Sequence, residues 1–158
     1  MIDIDYLKSF KKDPEFFGLG FIQLKLNETT RVHFYSIRTP SIVNEEEVHS
    51  HSYDFKSTVS QGTFKQKLFT FLPNPSGEYE MSKVSCSPGL PPPPTDKTIG
   101  TCRLESEHTY SKGDSYWLSQ NALHTVEANE AITILNLGPK ETQYPNVIRK
   151  LNEDKTCP

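Results

Sequence analysis

Cysteine is scarce in this chain, and what there is does not organise it. Cys86, Cys102 and Cys157 are odd in number, widely spaced and outside any CxxC pattern, which argues against both a disulfide framework and a thiolate zinc site. Reduced thiols are expected. Long apolar runs are missing too: none approaches the roughly 20 residues needed to span a bilayer. The opening MIDIDYLKSFKK lacks the basic-then-apolar order of a secretion signal. A cytoplasmic setting with no membrane partner is the expectation. There is no basic excess either. Lys and Arg number 17 against 20 Asp and Glu, a net charge of −3, and a nucleic acid polymer would need clustered cations on one face. No internal repeat is visible.

A chain of 158 residues has the size of one domain and can bury roughly 70% of its unfolded surface. With 34% hydrophobic and 23% charged residues it is too polar for a membrane and too balanced for disorder. Residues 3–12 set Ile4, Leu7 and Phe10 at helical spacing, with Lys8, Lys11 and Lys12 toward the end, so a short amphipathic helix is predicted there. Pro14 opens a new turn. From there the pattern alternates apolar and polar: FIQLKL (21–26), RVHFYSI (31–37), TFKQKLFTF (63–71), YEMSKVSC (79–86), TIGTCRLESEH (98–108), SYWLS (115–119), LHTVEA (123–128) and AITILNL (131–137). Such runs read as strands. A polar tail is expected after about residue 140. Nine or ten short strands with frequent turns mark an all-β sandwich or barrel.

The breaks PNPSG (73–77) and SPGLPPPPTD (87–96) read as connections. The four prolines of the second favour an extended, stiff loop. A docking peptide for a proline-reading module is the alternative, but no basic flank supports it. Tyr53, Tyr116 and Trp117 stand in alternating runs, where most aromatics serve the core and one or two can face a ligand.

Two of the five histidines lie in VHSHSYDF (48–55). On a strand, His49 and His51 would point to the same face, which is how one strand supplies two metal ligands. The stretch VHSHSYDFKSTVSQG (48–62), followed by GDSYWLSQNALH (113–124), resembles the two motifs of the cupin family over about residues 20–140. His49, His51 and Gly62 match the first motif, and Gly113 and His124 match the second. Ser119 and Asn121 stand where that motif has proline and glycine. Asn tolerates a left-handed turn conformation better than most residues, so Asn121 is expected to keep the turn. The strand ending in Gly138-Pro139 follows as in many small cupins. HSHSYDFKSTVSQG, with FFGLGFIQLKL and RVHFYS, also resembles uncharacterised cupin-like proteins of tailed bacteriophages, which would imply a host cytoplasm.

The resemblance implies a cupin-type double-stranded β-helix, a jelly-roll barrel, preceded by the short N-terminal α-helix. It also implies that His49, His51 and His124 meet at one internal divalent metal site. Three neutral imidazoles suit Fe(II) first, with Zn, Ni, Mn or Cu open. The family's acidic ligand falls where this chain has Phe55 and Lys56. Asp54 is adjacent, and becomes a ligand only if a bulge shifts the register. Metal chemistry on a small-molecule substrate, of the kind seen in cupin thiol or diketone dioxygenases, is the first functional expectation, with Tyr53, His108 and Lys56 as candidate catalytic proton carriers. His33, on the face of Arg31 and Tyr35, is a core histidine or a pocket-floor residue. Two other classes stay open. One is a non-catalytic pocket sequestering an anionic metabolite or nucleotide through Lys56, Arg31 and Arg103. The other is a metal-free sugar epimerase or isomerase pairing a histidine with Glu105 or Asp54. A homodimer through sheet edges is also open.

Overall fold

The computed structural model describes residues 13, 15–16, 21–36, 47–85 and 89–151. The helix expected over residues 3–12 lies outside them, as do Cys86 and Cys157. Among the described residues the regular elements are strands: β1 (Glu15–Phe16), β2 (Phe21–Lys25), β3 (Thr30–Tyr35), β4 (Val48–His49), β5 (Tyr53–Pro73), β6 (Tyr79–Lys83), β7 (Thr98–Ser111), β8 (Ser115–Leu118), β9 (Leu123–Lys140) and β10 (Asn146–Lys150). No helix there is long and apolar enough to cross a membrane.

The strands join one antiparallel network, organised by β5 and β9. β9 pairs with β3, β4 and β5, while β5 also pairs with β7 and β8. Followed from β9 through β4, β10, β6, β7 and β5, the ladders return to β9. The ring brings residues distant in sequence to a shared interior.

Strands of 21 and 18 residues are far longer than the usual five or six, and they bend to serve both parts of the network. Their mutual register shifts at Tyr53/Phe55, Val59/Gln61 and Gln61/Thr63, the local disruption expected of bulges. At this bend Gly62 has a φ of 73° and Glu130 one of 49°. A Cβ on Gly62 would collide with the backbone oxygen of Glu130, so the bend needs glycine for both conformation and space.

Apolar residues sort onto two faces. Phe21, Tyr35, Phe55, Phe64, Tyr116 and Leu135 belong to the larger core cluster, and Leu24, Val32, Phe34 and Ile132 form a second one. The alternation of β2 and β3 accounts for the split, since Phe21 and Leu24 stand at positions of opposite parity. On β8, Tyr116 and Leu118 are buried while Trp117 is exposed, so Trp117 does not serve the core.

Three features differ from the sequence reading. LHTVEA and AITILNL are continuous in β9, and TFKQKLFTF is the second half of β5. β10 lies in what the sequence presents as a polar tail. Its apolar residues, Val147 and Ile148, are adjacent and break the alternation that marks a strand, yet both are buried because β10 sits between β4 and β6. The turn before His124 keeps its place without a left-handed Asn121: the only non-glycine with positive φ among the described residues is Glu130. The Ala122 N–H donates to the Ser119 carbonyl at 2.9 Å, closing a four-residue turn that needs no positive φ. In the proline loop, the Tyr144 hydroxyl donates to the Pro91 carbonyl at 3.1 Å.

Candidate metal centre

His49 ends β4 and stands opposite His124 of β9 in the ladder. His51 lies just past β4, in a connection fixed on both sides. The Ser50 N–H donates to the Asn146 carbonyl at 2.9 Å, and the His51 N–H to the Gln120 carbonyl at 3.1 Å. The short strand therefore delivers only one of the two HxH imidazoles directly. The second arrives through a loop pinned to β10 and to the turn before His124. One ring nitrogen from each of the three histidines lies within 4.8 Å of the others. The Nε2 atoms of His51 and His124 are 2.7 Å apart.

Neighbouring groups orient these rings. His49 Nδ1 donates to the Glu47 carbonyl at 3.0 Å, leaving Nε2 as its free lone pair. His124 Nδ1 faces the Gln66 side-chain amide nitrogen, Nε2, at 3.2 Å. Leu68 is the ladder partner of His124, so Gln66, two residues earlier, is its diagonal neighbour on the same face. Burial first, then the charge of the neighbouring histidines, pushes His51 and His124 well below the usual histidine range. Burial also lowers His49, partly offset by its bond to Glu47. All three are neutral at neutral pH, the form in which imidazole binds metal.

The donor set fits a divalent ion of the imidazole-preferring kind. Nitrogens about 2.1 Å from an ion, on adjacent corners of an octahedron, are about 3.0 Å apart, so His51 and His124 need only a small separation. If His124 binds through Nε2, its Nδ1 carries the proton and the Gln66 amide turns its oxygen toward it, the usual outer support of a ligating histidine.

The histidines border a cavity of about 440 Å³ whose wall includes the aromatic rings of Phe21, Phe55, Phe64 and Tyr116. β3 contributes Arg31, His33 and Tyr35 at alternate positions, and β2 contributes Gln23. Gln23 donates through Nε2 to Glu15 at 3.3 Å, which turns its oxygen toward His33 Nε2 at 3.0 Å. His33 then donates from Nε2 and accepts from the Tyr35 hydroxyl at Nδ1, 3.4 Å away. Burial, reinforced by the Arg31 charge, lowers His33 to about 3.

Two solved structures share a loose likeness of fold. One is hydroquinone 1,2-dioxygenase PnpCD in complex with Cd2+ and 4-hydroxybenzonitrile, 12% identical with a TM-score of 0.42, the match covering 85% of this chain and 72% of that one. The other is hydroquinone 1,2-dioxygenase from Sphingomonas sp. TTNP3 with 4-hydroxybenzoate bound, 13% identical with a TM-score of 0.42, over 89% of this chain and 81% of that one. No family model and no curated protein matches the chain, and the likeness to phage proteins gains no support.

Of the residues singled out in the sequence, the structure brings together His49, His51 and His124, with Tyr53 on the cavity wall. Asp54 does not join them: its Oδ1 accepts from the Gln120 N–H at 2.7 Å, tethering the turn that precedes His124. Lys56 and His108 are exposed, and neither lines the cavity. The same holds for Arg103 and Glu105, and Glu105 instead accepts from Thr70 at 3.0 Å. Gln23 and Gln66 were missed. Both carried a signal, since each is a polar residue in the register of inward-facing neighbours, Phe21 for Gln23 and Phe64 and Leu68 for Gln66.

Proposed function

We propose that the chain is a single cupin-like domain, wound as a jelly roll, that holds one divalent metal ion through His49, His51 and His124. In this reading it acts as a small-molecule oxygenase or a related metal-dependent enzyme. The observation that carries the reading is the convergence of three neutral imidazoles, His124 buried and His49 and His51 half-buried, on the border of a cavity large enough for a small substrate. Fe(II) is the first choice of ion, with Zn, Ni, Mn or Cu compatible with the same donors. Such an ion supplies Lewis acidity and, where redox-active, one-electron chemistry.

The chain's own residues do the rest. The Glu47 carbonyl holds His49 in the tautomer that keeps Nε2 available, and Gln66, with its amide oxygen turned toward Nδ1, would do the same for His124. The aromatic walls exclude water from the reacting region. Tyr53, its hydroxyl accepting from Arg31 Nη1 at 2.7 Å, stands where it can exchange a proton with a bound ligand. The exposed Lys56 and His108 have no part in this version.

A second reading rests on the 2.7 Å separation of His51 and His124 Nε2. A direct N–H···N bond satisfies both rings without an ion, as a non-catalytic binding pocket would require. Oxygen uptake by Fe(II)-loaded protein, measured with thiols, diketones and hydroquinones, separates the two. Uptake coupled to loss of one substrate class, abolished in His124→Ala, is expected. No retained iron and no uptake on any class would favour the binding pocket.

A further inference from the structure

The Arg31 guanidinium lines the cavity, and among the described residues no carboxylate forms an ion pair with it; Glu15 is bound by Lys25 instead, and the Arg31 charge only helps that bond to lower its carboxyl. Its hydrogen bonds to Tyr53 Oη at 2.7 Å and Gln23 Oε1 at 3.4 Å both leave from Nη1. Its Nε and Nη2 donors have no protein partner among the described residues. Those two N–H groups form the parallel edge that a carboxylate takes bidentately. The other charges on the wall do not replace such a partner. Lys25 is bound to Glu15, while Glu28 and Lys140 line the cavity without an ion pair to Arg31.

A second observation is independent of Arg31. Thr133 Oγ1 is buried without a hydrogen-bond partner, and Thr133 also lines the cavity. A buried hydroxyl with no partner is costly unless something supplies one. The remaining walls are largely apolar and aromatic. The path from Arg31 to the histidines is short: the guanidinium carbon lies 5.1 Å from the Tyr53 ring centre, and that ring stacks on His51 at 6.1 Å.

We propose that the cavity recognises a small monocarboxylate with a planar or apolar body, its carboxylate held by the open edge of Arg31 and its body directed toward the three histidines. At about 440 Å³ the space is near the lower end of the usual 300–1,000 Å³ for ligand sites, which favours such a molecule over a nucleotide. Arg103 and Lys56, the other cations considered for an anionic ligand, are exposed away from the cavity. This names the ligand class of the functional reading above. It rests on the cavity being the working site but not on an ion being bound.

The test is calorimetric titration of the full chain, treated with chelator, with benzoate and with benzamide as the uncharged match in shape. Benzoate is expected to bind at least about tenfold more tightly than benzamide, the difference a charge-assisted hydrogen bond supplies. Arg31→Gln should remove that preference and leave benzamide unchanged. Arg31→Lys, which keeps the charge and loses the fork, should keep only part of it, and carries the test if Arg31→Gln fails to fold. Equal binding of the two probes to the wild type, binding of neither, or a preference undiminished in the variants overturns the proposal. Metal content of a wild-type preparation made without chelator is read separately. Benzoate preference without metal overturns the metal reading alone, and metal without benzoate preference overturns this one alone.

Discussion

Gln66 and His33 are single residues whose surroundings decide how the site behaves. Gln66 is 2% exposed, and its amide is the neighbour of His124 Nδ1. Replacing it with Leu leaves that nitrogen without a partner, and loss of such outer support typically weakens a metal site about 10- to 100-fold. Metal titration of Gln66→Leu should show a drop of that order with the fold retained. Unchanged affinity would mean that Gln66 does not support the ring. His33 is held neutral by burial, its value lowered to about 3, and burial lowers the three clustered histidines in the same direction. Below the ordinary histidine value of about 6.5, the unfolded chain binds protons that the folded chain refuses. The stability these groups contribute is therefore present above about pH 6.5 and is lost as pH falls toward the lowered values. Each adds up to about 1.4 kcal/mol per pH unit in that interval. Glu15 and Glu127, also lowered, respond only in the carboxylate range below it. Chelator-treated protein should lose thermal stability steadily between pH 7 and pH 5, and a flat melting temperature across that range would contradict the burial of these rings.

Among the elements, the bent pair β5 and β9 carries the architecture, and Gly62 is its tightest point. The left-handed conformation there costs a residue with a side chain about 1–2 kcal/mol, before any contact between the new Cβ and the Glu130 carbonyl. Gly62→Ala should lower unfolding stability in urea by at least that amount, and equal stability would show that the bend relaxes freely. This is also where the sequence was most and least readable. Gly62 stood out through its place after the HxH pair, and the alternation of FIQLKL, RVHFY and SYWL located β2, β3 and β8 closely. The continuity of β9 was hidden because Asn129 and Glu130 fall between the two alternating runs and belong to neither, whereas β9 continues through them alongside β5. β10 was hidden because a two-residue apolar pair has no period. Its burial depends on β4 and β6, elements distant in sequence.

At the scale of the whole molecule, the ring of ladders explains why two motifs more than sixty residues apart address one place, since β4 and β9 are neighbours with His49 opposite His124. That convergence was legible from histidine and glycine spacing. The cavity beside it was legible only in part: Arg31, His33 and Tyr35 share a face by simple alternation, but that this face meets the histidines follows from the pairing of β3 with β9. Asp54, Lys56 and His108 could not be placed by spacing alone, because bulges and the loop after β4 decide which side chains reach the interior. The central claim is that the three histidines form one metal site. Metal content per chain, measured on protein purified without chelator or affinity histidines and incubated with Fe(II) or Zn, tests it most directly. The account predicts roughly one ion per chain in the wild type, none in His49→Ala, His51→Ala or His124→Ala, and wild-type content in His108→Ala. Wild-type protein that retains no ion, or a full complement in the three cluster variants, would contradict it.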